Sequence, residues 1–292
     1  MKNTKPKVRL WSVLTGLTAI LTVAAIVGNI IANQYATTLN VALNASTYKI
    51  IHGENTGDTE YFKKGFASDE EREAYEAELC ATVEAEGAAL LKNENNALPL
   101  ASGAKVSLFG HGSVDLMYGG TGSGSVDTSK APNLKQALEA QGITINQTLW
   151  DLYSSDSMMS KYSRMTPASI SDTLEANTQY AVNEAPWSAL SSAESSFAEY
   201  GDAAIVVLSR SGGEGADLPS GENGTNDSWI SGQEGDGNYL ALSAEEIELL
   251  QNLKALKDNG TFKNIVVLIN SSNAIELDFL NPEICGEDYG ID

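Results

Sequence analysis

Apolar and polar positions divide the chain into stretches of different period. Residues 10–32 contain no charge, and their apolar positions cover every face of a helix rather than one. At 1.5 Å rise, these 23 residues make a helix of about 34 Å, enough to cross a hydrocarbon core of about 30 Å with some tilt. Residues 33–67 lack a sustained period and are rich in Asn, Thr, Gly and Lys, the composition of a connecting stalk. From Ser68 the pattern turns helical. Ser68-Asp-Glu-Glu71 is a capping box, and Tyr75, Leu79, Val83, Leu90 and Leu91 recur at roughly helical spacing, which predicts one long amphipathic helix to about Asn93. Strands are predicted at 105–110, 203–208 and 265–269. The last two are continuous apolar runs rich in β-branched residues, as in strands covered on both faces. Helical segments at 133–141, 187–200 and 243–258 lie among them, the last with its own capping box, Ser243-Ala-Glu-Glu246, and a stop at Gly260. The alternation predicts an α/β fold, a mostly parallel sheet with helices on both faces, occupying 68–292.

Charge gives the apolar run an orientation. Lys2, Lys5, Lys7 and Arg9 precede it without an acid, so the positive-inside rule makes 1–9 a cytoplasmic tail and 10–32 a transmembrane signal anchor. The expected protein is single-pass in the cell membrane, with the bulk of the chain extracellular. A cleavable signal peptide is the rival, but its apolar region usually spans about 7–15 residues, and Ala32-Asn33-Gln34 offers no small-x-small site. The 18 Lys and Arg against 39 Asp and Glu give a net charge of −21, which repels a phosphate backbone and excludes a nucleic-acid partner. Cys80 and Cys285 leave one disulfide or two free thiols open, and neither lies in a zinc-ligand spacing. His52 and His111 are the only histidines, so acid–base work falls to carboxylates.

In open α/β sheets, ligands bind beyond the carboxyl ends of the strands, which directs attention to two loops. The first runs Gly110-His-Gly-Ser-Val-Asp115 and then Gly119-Gly-Thr-Gly-Ser-Gly-Ser125. Asp115 stands where a dinucleotide fingerprint needs its third small residue, and no Lys completes a phosphate loop. Its many glycines instead let backbone approach a ligand or another domain. The second loop is Ser209-Arg-Ser-Gly-Gly-Glu-Gly-Ala-Asp217. There Glu214, flanked by glycines a few residues past a strand end, reads either as a general acid reaching into a cleft or as a solvated loop glutamate. The acid role calls for a pKa raised by burial or by neighbouring carboxylates. The acids Glu222, Asp227, Glu234 and Asp236 lack calcium-loop spacing, and no GxSxG elbow occurs.

Three motifs in this order, Glu86-Gly-Ala-Ala-Leu-Leu-Lys-Asn-Glu-Asn-Asn-Ala-Leu-Pro-Leu100, Gly119-Gly-Thr-Gly-Ser-Gly-Ser125 and Ser209-Arg-Ser-Gly-Gly-Glu-Gly-Ala-Asp217, resemble the α/β sandwich domain of glycoside hydrolase family 3, the β-glucosidase family. The resemblance covers about 68–280. It implies a six-stranded α/β sandwich, incomplete here, and an active site shared with a barrel domain that supplies an Asp nucleophile. The sandwich supplies the acid/base Glu, a place Glu214 matches, with Gly120, Gly122, Ser123, Arg210 and Asp217 as substrate-pocket loop residues. The order of anchor, stalk and sandwich is similar to members whose sandwich precedes the barrel, and the chain reads as an amino-terminal fragment. No metal or organic cofactor is implied. The expected function is an exo-acting retaining β-glycosidase, with glucose as the expected sugar, acting on small β-linked oligosaccharides or glycosides. This chain would supply the anchor and the acid/base domain and would be inactive alone. A non-catalytic cell-surface carbohydrate-binding or adhesion module is the alternative.

Overall fold

The computed structural model describes residues 5–43, 45, 65–124, 126–164, 180–214, 218 and 239–292. Two compact units divide at Gly87–Ala88.

The first unit holds α1 (Lys5–Gln34), α2 (Ala36–Ala42) and α3 (Asp69–Gly87). Val8–Gln34 of α1 has a mean hydropathy of 2.1 and no buried side chain, so it is long and apolar enough to cross a membrane. The hydroxyls of Ser12, Thr15, Thr18 and Thr22 each donate to the carbonyl four residues earlier, at 2.9–3.0 Å. Its polar side chains thereby find partners within the helix itself. Ser68 Oγ accepts from the Glu71 N–H at 3.2 Å, while the Glu71 carboxylate takes the Ala67 N–H at 2.7 Å. This is the expected cap with its return bond shifted by one residue. α3 ends at Gly87, short of the Asn93 expected from the apolar spacing. Glu84 and Glu86 oppose the negative carboxyl end of the helix dipole, no basic residue sits in the last turn, and Gly87 favours termination. Leu90 and Leu91 are therefore not helical, and the stripe of Tyr75, Leu79 and Val83 is exposed.

The second unit is built on a parallel sheet of β1 (Lys105–Phe109), β2 (Thr144–Ile145), β3 (Ala203–Arg210) and β4 (Ile265–Ser271), in the order β2-β1-β3-β4. Val106 registers with Ile145 on one side and Ala203 on the other, and β3 pairs with β4 from Ala204↔Ile265 to Arg210↔Ser271. Among the described residues the sheet has four strands rather than six. Every residue of β3 is buried, as its unbroken apolar run requires of a central strand.

Alternation along β3 splits the core in two. Ala203 and Ile205 join Val106, Leu108 and Ile145 on one face, covered by Leu134 and Leu138 of α4 (Leu134–Ala140). Ala204, Val206 and Leu208 face the other way. There α5 (Gln147–Tyr153), a 3₁₀ helix (Trp187–Tyr200) and α7 (Ala244–Asp258) cover them, with α6 (Asp156–Met159) adding Met158. Helices on both faces agree with the sequence expectation, although the segment at 187–200 winds as 3₁₀. Both α4 and α7 start in capping boxes: Asn133 with Gln136, and Ser243 with Glu246. Phe109, the last residue of β1, packs edge-on against Phe197 at 5.2 Å and Phe262 at 5.7 Å. Each such ring pair adds about 0.5–1.5 kcal/mol beyond the area it buries, which fixes the strand end just before the first candidate loop.

Candidate active site

The carboxyl ends of β1, β3 and β4 lie side by side in the register, so the segments that follow them meet at one edge of the sheet. Gly110 turns the chain out of β1 at φ +82, a conformation that disfavours any side chain. A Cβ there would also lie 2.7 Å from the Val207 carbonyl. The buried carboxylate of Glu184 holds this turn. Its Oε2 accepts from the His111 backbone N–H and contacts His111 Nδ1, both at 2.9 Å, and its Oε1 accepts from the Ala185 N–H at 2.9 Å. Further along, Asn270 of β4 pairs with both backbone groups of Met117, accepting at 2.6 Å and donating at 2.9 Å. The first loop is thus tied at its start and near its middle.

The second loop leaves β3 at Arg210, which is fully buried. Its guanidinium makes a two-pronged ion pair with Glu246, at 2.8 and 2.7 Å, and donates to the carbonyls of Tyr239, Ala241 and Ser209. Burial works against the charge, but Glu246 outweighs it and leaves the guanidinium above its ordinary pKa. The family resemblance puts Arg210 among the substrate-pocket loop residues; in the structure its donors serve the scaffold beneath that loop. Beyond it, the Tyr239 hydroxyl bridges Ser211 N–H (2.9 Å) and Ser211 C=O (3.0 Å), and Ser272 exchanges hydrogen bonds with both backbone groups of Gly212. Burial pushes the Tyr239 hydroxyl up to about 12, so it keeps its proton across the physiological range.

The two loops then join. Thr121 and Gly213 form a parallel bridge, and Thr121 Oγ1 donates to the Glu214 carbonyl at 3.1 Å. Ser123 donates twice to Glu214 Oε2, through its N–H at 2.8 Å and through its hydroxyl. Gly120 lies against the Gly212 carbonyl, and Gly122 against the Glu214 side chain. Gly120, Gly122, Ser123 and Glu214 therefore come together, while Asp217, like Glu222, Asp227, Glu234 and Asp236, lies outside the described residues. Glu214 is exposed, and the two Ser123 bonds lower its pKa. The acid role called for a raised value; here the two Ser123 donors outweigh a slight effect of burial and favour the charged form. Beside the junction opens a cleft of ≈ 670 Å³ whose lining includes Asp115, Tyr118, Thr121, Gly122, Arg164 and Ser211. Asp115 and Arg164 form an ion pair at 3.0 Å on its wall. Among the described residues, no three His, Cys, Asp or Glu side chains gather to hold a metal.

Tyr180, Tyr239, Glu184 and Ser272 support the site without standing in its motifs, while Thr121 lies within the glycine-rich motif and Glu246 within a capping box whose pattern does not reveal a partner in Arg210. Ser272 had a usable signal, since Asn270-Ser-Ser-Asn273 follows the apolar run of a strand; the tyrosines and Glu184 act from distant positions.

The glycosyl hydrolase family 3 C-terminal domain matches residues 88–286. Over 146 residues the chain is 34% identical to Beta-glucosidase A of Butyrivibrio fibrisolvens, covering 48% of this chain and 15% of that protein. A solved beta-glucosidase of Paenibacillus barengoltzii is similar at TM-score 0.51 and 25% identity, over 72% of this chain and 20% of that one. Beta-glucosidase 3B of Thermotoga neapolitana, solved with alpha-D-glucose, shares the fold at TM-score 0.51 and 23% identity, over 72% of this chain and 26% of its own. The chain thus spans about a quarter or less of the length of these relatives.

Proposed function

The chain belongs to glycosyl hydrolase family 3, and from that premise we propose that it is the acid/base part of a membrane-anchored, outward-facing retaining β-glycosidase, with β-glucosides as substrates. The observation that carries this reading is the placement of Glu214. It projects from the carboxyl edge of the central strand, on a loop seated by Arg210, Tyr239 and Ser272 and pinned to the glycine-rich loop.

In the first step, a carboxylate of the family's barrel domain attacks the anomeric carbon while the Glu214 carboxyl protonates the departing glycosidic oxygen, so one C–O bond forms as another breaks. In the second, ionised Glu214 takes a proton from water, whose oxygen displaces the enzyme carboxylate and frees the sugar. Arg210 acts as a positioning residue, and the cleft bounded by Thr121 and Gly122 faces the substrate. No organic cofactor enters the scheme. For the anchor, support comes from α1, whose length, apolarity and internally bonded hydroxyls suit a bilayer. Residues 1–9 would lie in the cytoplasm and residues from 33 onward outside.

A leaving-group series in the full-length protein tests the reading. Glu214→Gln should slow release of alcohols, which need a proton, on the order of 10²–10⁴-fold, and spare activated phenols in the first step. Equal losses with all leaving groups would make Glu214 a structural residue of its loop, and a full-length protein that turns over no glycoside would favour the carbohydrate-binding alternative. Membranes extracted with carbonate should retain the protein, and a soluble species beginning near residue 35 would show that the apolar helix is cleaved.

A further inference from the structure

The glycine-rich loop carries no charge and no general base, yet it meets Glu214 at four points, and each has a steric or hydrogen-bonding reason. Gly122 sits at φ +69, and a Cβ there would lie 2.6 Å from Glu214 Cβ and 2.9 Å from its Oε2, so only glycine lets the acid side chain lie across the loop. A Cβ on Gly213 would lie 2.4 Å from the Thr121 nitrogen, so glycine is also needed on the other strand of the bridge. Thr121 Oγ1, besides holding the Glu214 carbonyl, bonds the hydroxyl of buried Tyr180 at 2.7 Å. Tyr180 stands 6.2 Å, centroid to centroid, from Tyr239, which carries the Ser211 end of the same loop. Both loops therefore rest on one pair of buried tyrosines.

We propose that Ser123 is the positioning residue of Glu214: its N–H and hydroxyl converge on one carboxylate oxygen and dock the side chain on the glycine-rich loop, so that the two loops present it as one unit. The assignment rests on the acid/base reading of Glu214. The docked arrangement suits one half of the reaction more than the other. Two donors on Oε2 stabilise the charged carboxylate, which is the form that accepts a proton from water in the second step. To act as an acid, Glu214 must take up a proton and weaken that docking, so Ser123 sets the balance between the two half-reactions. The causes that lower the Glu214 pKa are the two Ser123 bonds, with slight burial opposing, and the nearest cation on its own loop, Arg210, is committed to Glu246.

The test uses a water-soluble carbodiimide, which reacts with protonated carboxyls. Labelling of Glu214 in the 292-residue chain is followed by peptide mass spectrometry across pH, with exposed Glu283 as internal reference. Ser123→Ala should move the Glu214 labelling midpoint to higher pH, Ser123→Thr should keep it near wild type, and Gly122→Ala should move it upward because Glu214 is displaced. Ser123 is exposed, so loss of fold is not expected to obscure the result. In the full-length protein, Ser123→Ala should also shift the basic limb of kcat/KM for an alkyl glucoside to higher pH, because a carboxyl with fewer donors holds its proton longer. A purely structural serine would scale the whole profile and leave the limb in place. An unmoved labelling midpoint in Ser123→Ala overturns the proposal. Failure of the acid/base reading shows separately, as a Glu214→Gln variant that loses all leaving groups equally.

Discussion

Removing the Glu246 carboxylate should be among the most damaging single changes in the second unit. Arg210 has no exposed side-chain surface and Glu246 has 2%, so the pair works without water screening. In Glu246→Ala, Arg210 would keep its three carbonyl partners but stay buried with no counter-charge, and the Ser243 N–H would lose the acceptor that closes the helix cap. Breaking a buried pair from one side costs about 3–5 kcal/mol. For a unit of this size, each kcal/mol lowers Tm by about 2–4 °C, so the melt should fall by about 6–20 °C. Differential scanning calorimetry of the detergent-solubilised chain measures this directly. Glu246→Gln keeps one oxygen, which can still accept from the Ser243 N–H and one Arg210 N–H, while removing the charge and the second acceptor, and should fall in between. The double variant Arg210→Met/Glu246→Leu should lose less than the two single changes added together, because it removes both charges at once. A loss below about 1 kcal/mol in Glu246→Ala, or strict additivity in the double variant, would refute the claim that this pair seats the Glu214 loop.

Gly110→Ala should cost about 1–3 kcal/mol in chemical denaturation, because it forces a side chain into a positive-φ turn and against the Val207 carbonyl; an unchanged midpoint would contradict that. Asp202 accepts the Lys105 N–H at 2.8 Å and the Lys263 ammonium at 2.6 Å, which hold its carboxyl below the usual range. A depressed folded pKa lends stability that is present above the unfolded value of about 3.9 and is lost as pH falls through the folded one. Asp202→Asn should therefore be less stable than wild type at pH 7, with the gap closing on acidification below about pH 4; a gap that widens would reverse the sign of the argument.

Much of the fold was legible because its determinants are local. The unbroken apolar run of β3 and the Ser243–Glu246 box of α7 each contain their own explanation within a few residues. Thr144–Ile145 did not, since a two-residue edge strand has no period and exists only because it registers with β1. The far end of α3 was overextended because apolar spacing continued past the point where acidic residues and Gly87 end the helix. At the site, the rule that ligands lie beyond strand ends, together with the family motifs, reached Glu214, Gly120, Gly122 and Ser123. It did not give the ionisation of Glu214, which depends on donors 91 residues away in the chain. Nor did it separate the two duties of Glu246, cap and counter-ion, because Arg210 lies 36 residues before it. The family resemblance put Arg210 among the pocket-loop residues; the partners that hold its guanidinium, Tyr239, Ala241 and Glu246, lie far from it in sequence.

The central claim, that Glu214 is the acid/base of a two-step glycosidase, is tested most directly by azide rescue. In the full-length protein, Glu214→Gln supplied with an activated aryl β-glucoside should form its glycosyl-enzyme and stall, because the base that deprotonates water is missing. Azide needs no such base. It should restore turnover in proportion to its concentration and yield the β-glucosyl azide, identifiable by mass spectrometry and NMR. Absence of both a stalled glycosyl-enzyme and an azide product, with activity lost equally for every leaving group, would show that Glu214 is a structural residue of its loop.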